Sequence, residues 1–590
     1  MRIATSTLPI LSLVAGAIPL PAQAPLVLAD GGKSAYRIVL PADAIPSEKY
    51  AAAEFRAFFR QMSGADLPVV DESSPPSDRE ICLNARKRIA AADPAFAKKT
   101  PGGDGYAIRT KGGRLLVLGD RPRGTLYAVY VLLEEHLGCR WFTREVSRIP
   151  KKDRWELPPL DLAFAPALES REVFWTEAFD GDWAAQNRLN GHEHRLEDKH
   201  GGKIDWYPFV HSFDKILDHP THFKAHPEYF AEVDGRRRGA DPNQRTQLCL
   251  TNPEVLKIAI ETVRKWMKKK SDVTVFSVSQ NDWNGHCACA KCRAIDEREG
   301  SPSGSLLTFV NAVAEAVEKE FPDKLIDTLA YQYSRKPPKT VRPRKNVRVR
   351  LCSFECCFSH PLDSPTCEKN KGFREDLVAW SKITDRLYIW DYTTNYSHYV
   401  SPFPNFDVLG PNVRFYVDHG VKSIFEQGNM SPGGGGEFSE LRSYVLAKLL
   451  WNPKTDVKKA IEEFTDAVYA EAGPKVREYI ELLHAPARSD PKMHATLYLP
   501  PKQSGWFSGE FVKQAEALFA EGLAAVKDEA ARKRLRKAAL PIDYLQVLRA
   551  DPGTPQREKR LAAFLAACKE FGITNTSEHT GLEEFAKKLK

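Results

Sequence analysis

The feature that most constrains this chain is an alternation of short apolar, β-type segments with amphipathic helical ones between Ser170 and about Asn452. Strands are predicted at Glu172–Trp175, near Tyr207–His211, near Gln247–Leu250, and at Thr274–Ser279, Ile326–Ala330, Val347–Cys352, Leu387–Trp390 and Ser423–Phe425. Helical spacing fills most of the gaps, clearest at Pro253–Lys269, Leu306–Phe321, Phe373–Ser381 and Phe438–Trp451. Parallel strands need a crossover between them, so this alternation predicts an α/β protein with a parallel sheet. Eight strand–helix units in roughly 280 residues have the size of a (β/α)8 TIM barrel. A doubly wound open sheet is the alternative, but no glycine-rich phosphate loop follows the first strand.

The chain has 590 residues, too many for one hydrophobic core. Residues 25–160 read as a small α/β domain, with a strand at Tyr36–Leu40 and a helix from an N-cap at Ser47 through Met62. Two further strands flank the turn at Gly112-Gly113. The barrel is expected over 170–452, and a helical domain, assigned to packing or partner contact, over 453–590. Residues 1–24 read as a signal peptide: Arg2, an apolar stretch from Leu8 to Leu20, and small residues at Ala22 and Ala24 before a cleavage point. The mature protein is therefore expected to be secreted or periplasmic, without a membrane span. A net charge of +8 with only short basic runs, Arg236-Arg237-Arg238 and Lys268-Lys269-Lys270, gives no nucleic-acid footprint.

Barrel active sites lie at the C-terminal ends of the strands. Past the five best-defined later strands stand Asn281 and Asp282, Tyr331 and Tyr333, Glu355, Asp391 and Tyr392, and Glu426. Trp283, Trp390 and Tyr396 lie near them, and His211 follows an earlier strand. Carboxylates that can protonate a glycosidic oxygen, set among aromatic faces that stack on sugar rings, suggest a glycan site. The expectation is testable by geometry: Asp282, Glu355, Asp391 and Glu426 should converge on one pocket, and a non-catalytic glycan-binding barrel would not require it. An exo-acting, α-glucuronidase-like enzyme with two carboxylates is the other alternative. No cofactor is implied.

Eight of the eleven cysteines fall between Cys249 and Cys367. His286-Cys287-Ala-Cys289-Ala-Lys-Cys292 could supply Cys287, Cys289 and Cys292 to a structural zinc. In an exported chain, disulfides are favoured over it. His219, His222 and His226 are expected to be solvated or packing residues.

The stretches Ser277–Asp282 with the cysteine motif, Leu329–Tyr333, Leu351–Glu355 followed by Ser359–Leu362, Tyr388–Tyr392 and Phe425–Gly428 resemble the domain of unknown function 4838, which underlies glycoside hydrolase family 163. The N-terminal domain, most clearly Gly119–Tyr127, is similar to the one preceding the barrel in family 20 hexosaminidases and family 67 α-glucuronidases. The resemblance implies an endo-β-N-acetylglucosaminidase acting on N-glycan-like substrates, with retention through the substrate's own acetamido group. Asn281 would then orient that group and Asp282 would be the acid/base, with Glu355 as the rival acid. Asp391, Glu426, Tyr331, Tyr392, Trp283, Trp390 and His211 would bind sugar.

Overall fold

A computed structural model describes residues 24–239 and 246–589. Apart from Ala24, the leader expected at the N-terminus lies outside the described residues. The predicted alternation builds a seven-stranded, wholly parallel sheet: β1 (Ser170–Phe174), β2 (Trp206–Tyr207), β3 (Val275–Ser277), β4 (Leu325–Ala330), β5 (Val347–Cys352), β6 (Leu387–Tyr392) and β7 (Ser423–Gln427). The order is β2-β3-β4-β5-β6-β7-β1, the cyclic sequence of a barrel in which the first strand returns to pair with the last. The sheet curls until Phe209, just after β2, meets Phe425 of β7 with ring centroids 5.1 Å apart. Phe174 of β1 packs on the same ring at 4.8 Å.

One expected barrel strand is not in this sheet. Gln247–Leu250 forms only an isolated bridge between Leu248 and Phe230. The Gln247 amide is committed to the loop after β3, donating to the carbonyls of Asn281 at 2.8 Å and Trp283 at 2.7 Å. The helix Pro253–Lys269 follows, with Asn252 as N-cap accepting from the Glu254 and Val255 amides. Its Val255, Ala259, Val263 and Met267, four residues apart, form the buried stripe.

The barrel interior contains an ion pair with no exposure at either side chain. Arg350 of β5 donates to Asp327 of β4 at 2.7 Å. The guanidinium lies 4.5 Å from the Phe209 ring centre, 4.9 Å from Tyr388, 5.4 Å from Trp390 and 5.8 Å from Trp206. It also donates to the Phe209 carbonyl at 3.0 Å. Burial pushes the Asp327 carboxyl up to about 6, against the pull of Arg350.

The N-terminal sheet is six-stranded, running Asp161–Phe164, Tyr106–Lys111, Arg114–Gly119, Glu80–Leu83, Arg37–Leu40, Val69–Asp71. Its helix begins at Pro46 rather than after Ser47. Glu48 accepts from the Ile45 amide at 3.0 Å, and the Ser47 hydroxyl turns instead to the Pro122 carbonyl. Asp104 joins this domain to the barrel: it accepts from Arg123 at 2.9 Å and from Arg171 of β1 at 2.5 Å. Burial opposes its ionisation, but the two arginines hold its carboxyl below the usual range.

After Asn452 come the helices Val457–Tyr469, Gly473–Ser489, Gly509–Ala525, Glu529–Arg549, Pro555–Glu570 and Leu582–Leu589. The first two of these helices are divided by the 3-10 turn Ala470–Ala472. No described helix is long and apolar enough to cross a membrane.

Asp327→Asn leaves Arg350 buried without its counter-charge, and removing one partner of a buried pair costs roughly 3–5 kcal/mol. The expected outcome in denaturant unfolding is a lowered midpoint for Asp327→Asn and for Arg350→Met alone. The double variant should lose less than the two single losses combined.

Candidate functional site

A cavity of about 400 Å³ opens at the C-terminal ends of the strands. Every strand contributes at or just past its end: Phe174 for β1, Val210 and His211 for β2, Asp282 for β3, Leu329 and Tyr331 for β4, Cys352 and Phe354 for β5, Trp390 and Tyr392 for β6, Phe425 and Gln427 for β7. The walls are mostly aromatic. His211 and Gln332 beside it hold φ of +50° and +51°, which turns the chain sharply at the strand ends.

The four strand-end acids do not converge. Only Asp282 lines the cavity, where the Tyr331 hydroxyl donates to its Oδ1 at 3.2 Å. Gln332 Nε2 donates to the Tyr331 oxygen at 2.8 Å, which directs the phenol proton toward Asp282. Successive strand residues point to opposite faces of a sheet, and this decides the other cases. On β6, Trp390 and Tyr392 face the cavity, so Asp391 between them faces the helix layer. There it accepts from Ser353 at 2.6 Å and from the hydroxyl of Tyr416, on the helix Phe406–Asp418, at 2.9 Å. On β7, Phe425 and Gln427 face the cavity and Glu426 lies behind it, in register with Asp391.

Glu355 sits past β5 on the surface, paired to Arg335 at 2.9 Å, and does not line the cavity. Asn281 is buried and turned away. Its amide donates to Asp214 at 2.7 Å and to the Thr246 carbonyl, so the expected contact with substrate is not made from this position. Trp283 is half-buried and outside the lining. His211, Tyr331, Tyr392 and Trp390 do line it, with His211 Nδ1 2.9 Å from the Gln280 carbonyl and Trp390 Nε1 donating to Gln427 at 2.7 Å.

Part of the lining comes from the C-terminal helical region, to which the sequence assigned no chemistry. Leu497 and Tyr498 form one wall, and Glu578 is a second carboxylate in the cavity. The Tyr396 carbonyl, accepting from the Glu578 amide at 2.9 Å, fixes that loop. Burial raises the Glu578 carboxyl above its ordinary range, and nearby Asp282 raises it further, against His579. Nothing in local spacing marks Glu578, because it stands nearly 300 residues after Asp282 in sequence.

The cysteines also differ from expectation. All eleven are unbridged. Cys249 joins Cys287, Cys289 and Cys292 in one buried cluster, the four sulfurs lying within 4.8 Å of one another. Cys357, His360, Cys367 and His494 form a second such group. Four groups sharing one centre is the arrangement of a metal-binding set, whereas a disulfide brings two sulfurs to about 2.05 Å.

Fold and cavity together define a barrel protein with an N-terminal α/β domain and a site at the strand ends. The chain belongs to the family described as Domain of unknown function (DUF4838), which matches residues 141–481. Residues 30–132 match the Glycosyl hydrolase family 67 N-terminus. No curated protein matches the chain by sequence. Among solved structures, a family GH115 4-O-methyl-α-glucuronidase with specificity for decorated arabinogalactans superposes with a TM-score of 0.60 at 11% identity, covering 96% of this chain and 79% of that one. A Clostridium perfringens family 89 enzyme, solved with GlcNAc-α-1,4-galactose, matches at 0.47 and 11%, covering 90% and 65%. A Streptomyces plicatus N-acetyl-β-hexosaminidase matches at 0.38 and 13%, covering 75% and 91%. At these identities the likeness is one of fold.

Asp391 and Glu426 form a buried acid pair behind the cavity wall. Burial and the neighbouring Asp391 push Glu426 far above the carboxylate range. Asp391 accepts from Ser353, Tyr416 and the Tyr392 amide, whereas Glu426 Oε2 has no partner among the described residues, so Glu426 is the one that keeps its proton. A raised folded pKa gives stability that is complete below the unfolded value, about 4.3, and is lost as pH rises through the folded value. Glu426→Gln, a mimic of the protonated acid, should leave stability below pH ~4 within about 1 kcal/mol of the wild type and be the more stable of the two near neutral pH. It should also remove one proton's worth of the fall in stability from pH ~5 upward, read from unfolding at several pH values.

Proposed function

We propose that this chain is a glycoside hydrolase whose reaction takes place in the strand-end cavity, with Asp282 as the acid/base. The observation that carries the proposal is that Asp282 alone of the strand-end acids enters an aromatic cavity and is oriented there by Tyr331. A glycosidase must hold a sugar ring and deliver a proton to the leaving oxygen. Trp390, Tyr392, Phe354 and Tyr498 offer faces for the ring. Glu578 stands as the second carboxylate in place of Glu355.

The finer reading is an exported, retaining endo-β-N-acetylglucosaminidase acting on N-glycan-like substrates with substrate assistance. An apolar floor of Phe174, Phe209, Leu329 and Phe425 suits the methyl of an acetamido group. In that mechanism the acetamido oxygen attacks the anomeric carbon, Asp282 gives its proton to the leaving oxygen, and then takes one from the incoming water. Asn281 supports this only from behind, by holding Asp214 and the loop that carries Asp282. The cavity lining contains two acids and, among the described residues, no lysine or arginine, which disfavours a uronate.

General acid catalysis contributes roughly 10²–10⁴-fold. Asp282→Asn should therefore lose about that much turnover on aryl N-acetylglucosaminides with poor leaving groups, and far less on activated ones. If Glu578→Gln shows the steep leaving-group dependence instead, the two carboxylates exchange roles. If neither change slows turnover, the assignment fails. Mass analysis of products from N-glycans, chitooligosaccharides and uronate-capped xylan reads the substrate class directly.

A further inference from the structure

Cys357, His360, Cys367 and His494 come from two distant parts of the chain. The first three follow β5, and His494 lies between the helices Gly473–Ser489 and Gly509–Ala525. Cys357 Sγ is 3.3 Å from His360 Nδ1, and Cys367 Sγ is 3.8 Å from His494 Nδ1. The other nitrogen of His360, Nε2, is 3.1 Å from the Ala487 carbonyl and can only donate to it. That fixes the tautomer and leaves Nδ1 as a bare lone pair pointing into the group, the usual support for a metal-ligating histidine. We propose that these four residues bind a zinc ion that fastens the C-terminal segment over the catalytic cavity.

The donor set suits zinc: two cysteine sulfurs and two imidazole nitrogens make a four-ligand set in which Cys357, His360 and Cys367 are buried and His494 half-buried. A Cys357–Cys367 disulfide would use neither histidine. The surrounding backbone is already zipped together. The Phe358 amide donates to the Ala495 carbonyl at 2.8 Å, the Ala495 amide donates to Ser359 Oγ at 3.0 Å, and Ser359 Oγ donates to the Met493 carbonyl at 2.8 Å. Leu497 and Tyr498, three and four residues past His494, are the cavity wall. The ion is structural, with no open position for water, and it acts on the cavity by holding that wall.

A separate observation assigns a second zinc to Cys249, Cys287, Cys289 and Cys292. Sulfurs about 2.3 Å from a tetrahedral zinc stand about 3.8 Å apart, and Cys249 and Cys289 are separated by 3.8 Å. Donors surround the cluster: the Glu232 amide and Arg237 guanidinium to Cys287 at 3.4 and 3.6 Å, and Thr251 Oγ1 3.2 Å from Cys292. Hydrogen-bond donors aimed at sulfur stabilise thiolates, the form that binds metal.

The test is zinc content of the purified full-length protein after dialysis against metal-free buffer, with non-reduced peptide mapping of the same sample. Two zinc per chain are expected, falling by one in His494→Ala, by one in His360→Ala, and by one in Cys289→Ser. Hydrogen exchange adds a readout on folded protein: His494→Ala should speed exchange over residues 493–499 and leave the Cys289 loop unchanged. A site is overturned if its variants leave the zinc count unaltered, or if its cysteines are found as a disulfide. Both are overturned if the reduced wild-type chain neither carries zinc nor takes it from a zinc-buffered solution.

Discussion

The buried pair of Arg350 and Asp327 is the constraint on which the barrel end depends. An isolated charge in that interior would be prohibitively expensive, so the guanidinium requires its carboxylate and the aromatic faces around it. Those faces are not independent of the site. Phe209 and Trp390 touch Arg350 from one side and line the cavity on the other. The hydrogen bond to the Phe209 carbonyl also ties down the segment running on to His211. One ion pair therefore sets the floor height of the cavity and the entry of the loop after β2.

The barrel was legible in the sequence because its strands and helices differ in period and the connections are long. The strand at Gln247–Leu250 was misread because an apolar run in isolation does not reveal that Gln247 is spent on a neighbouring loop. The site was legible in part. Looking for acids past strand ends found Asp282, which lines the cavity, but it ignored parity. Asp391 and Glu426 each lie one residue out of phase with the aromatics that face the cavity, and a single step reverses the side of the sheet. The same parity argument, applied to the sequence once Trp390 or Phe425 is taken as inward, would have placed both acids behind the wall.

Glu578, Tyr498 and His494 were beyond the reach of pattern reading for another reason. Each lies in a connecting segment, acts on residues far away in sequence, and is flanked by helices that carry only the periodicity of packing. The cysteines show the converse. The spacing of Cys287, Cys289 and Cys292 was visible, but its fourth member, Cys249, stands 38 residues earlier, so the local motif was incomplete.

The dependence of the cavity on the C-terminal region bears on how this molecule becomes competent. The barrel strands are complete at Gln427, yet a cavity wall and one of the two carboxylates are still to come. A chain emerging from the ribosome would possess a finished sheet and an unfinished site. The cavity is complete only when the segments carrying Tyr498 and Glu578 dock, so every folding intermediate that lacks them has an open, unfinished pocket.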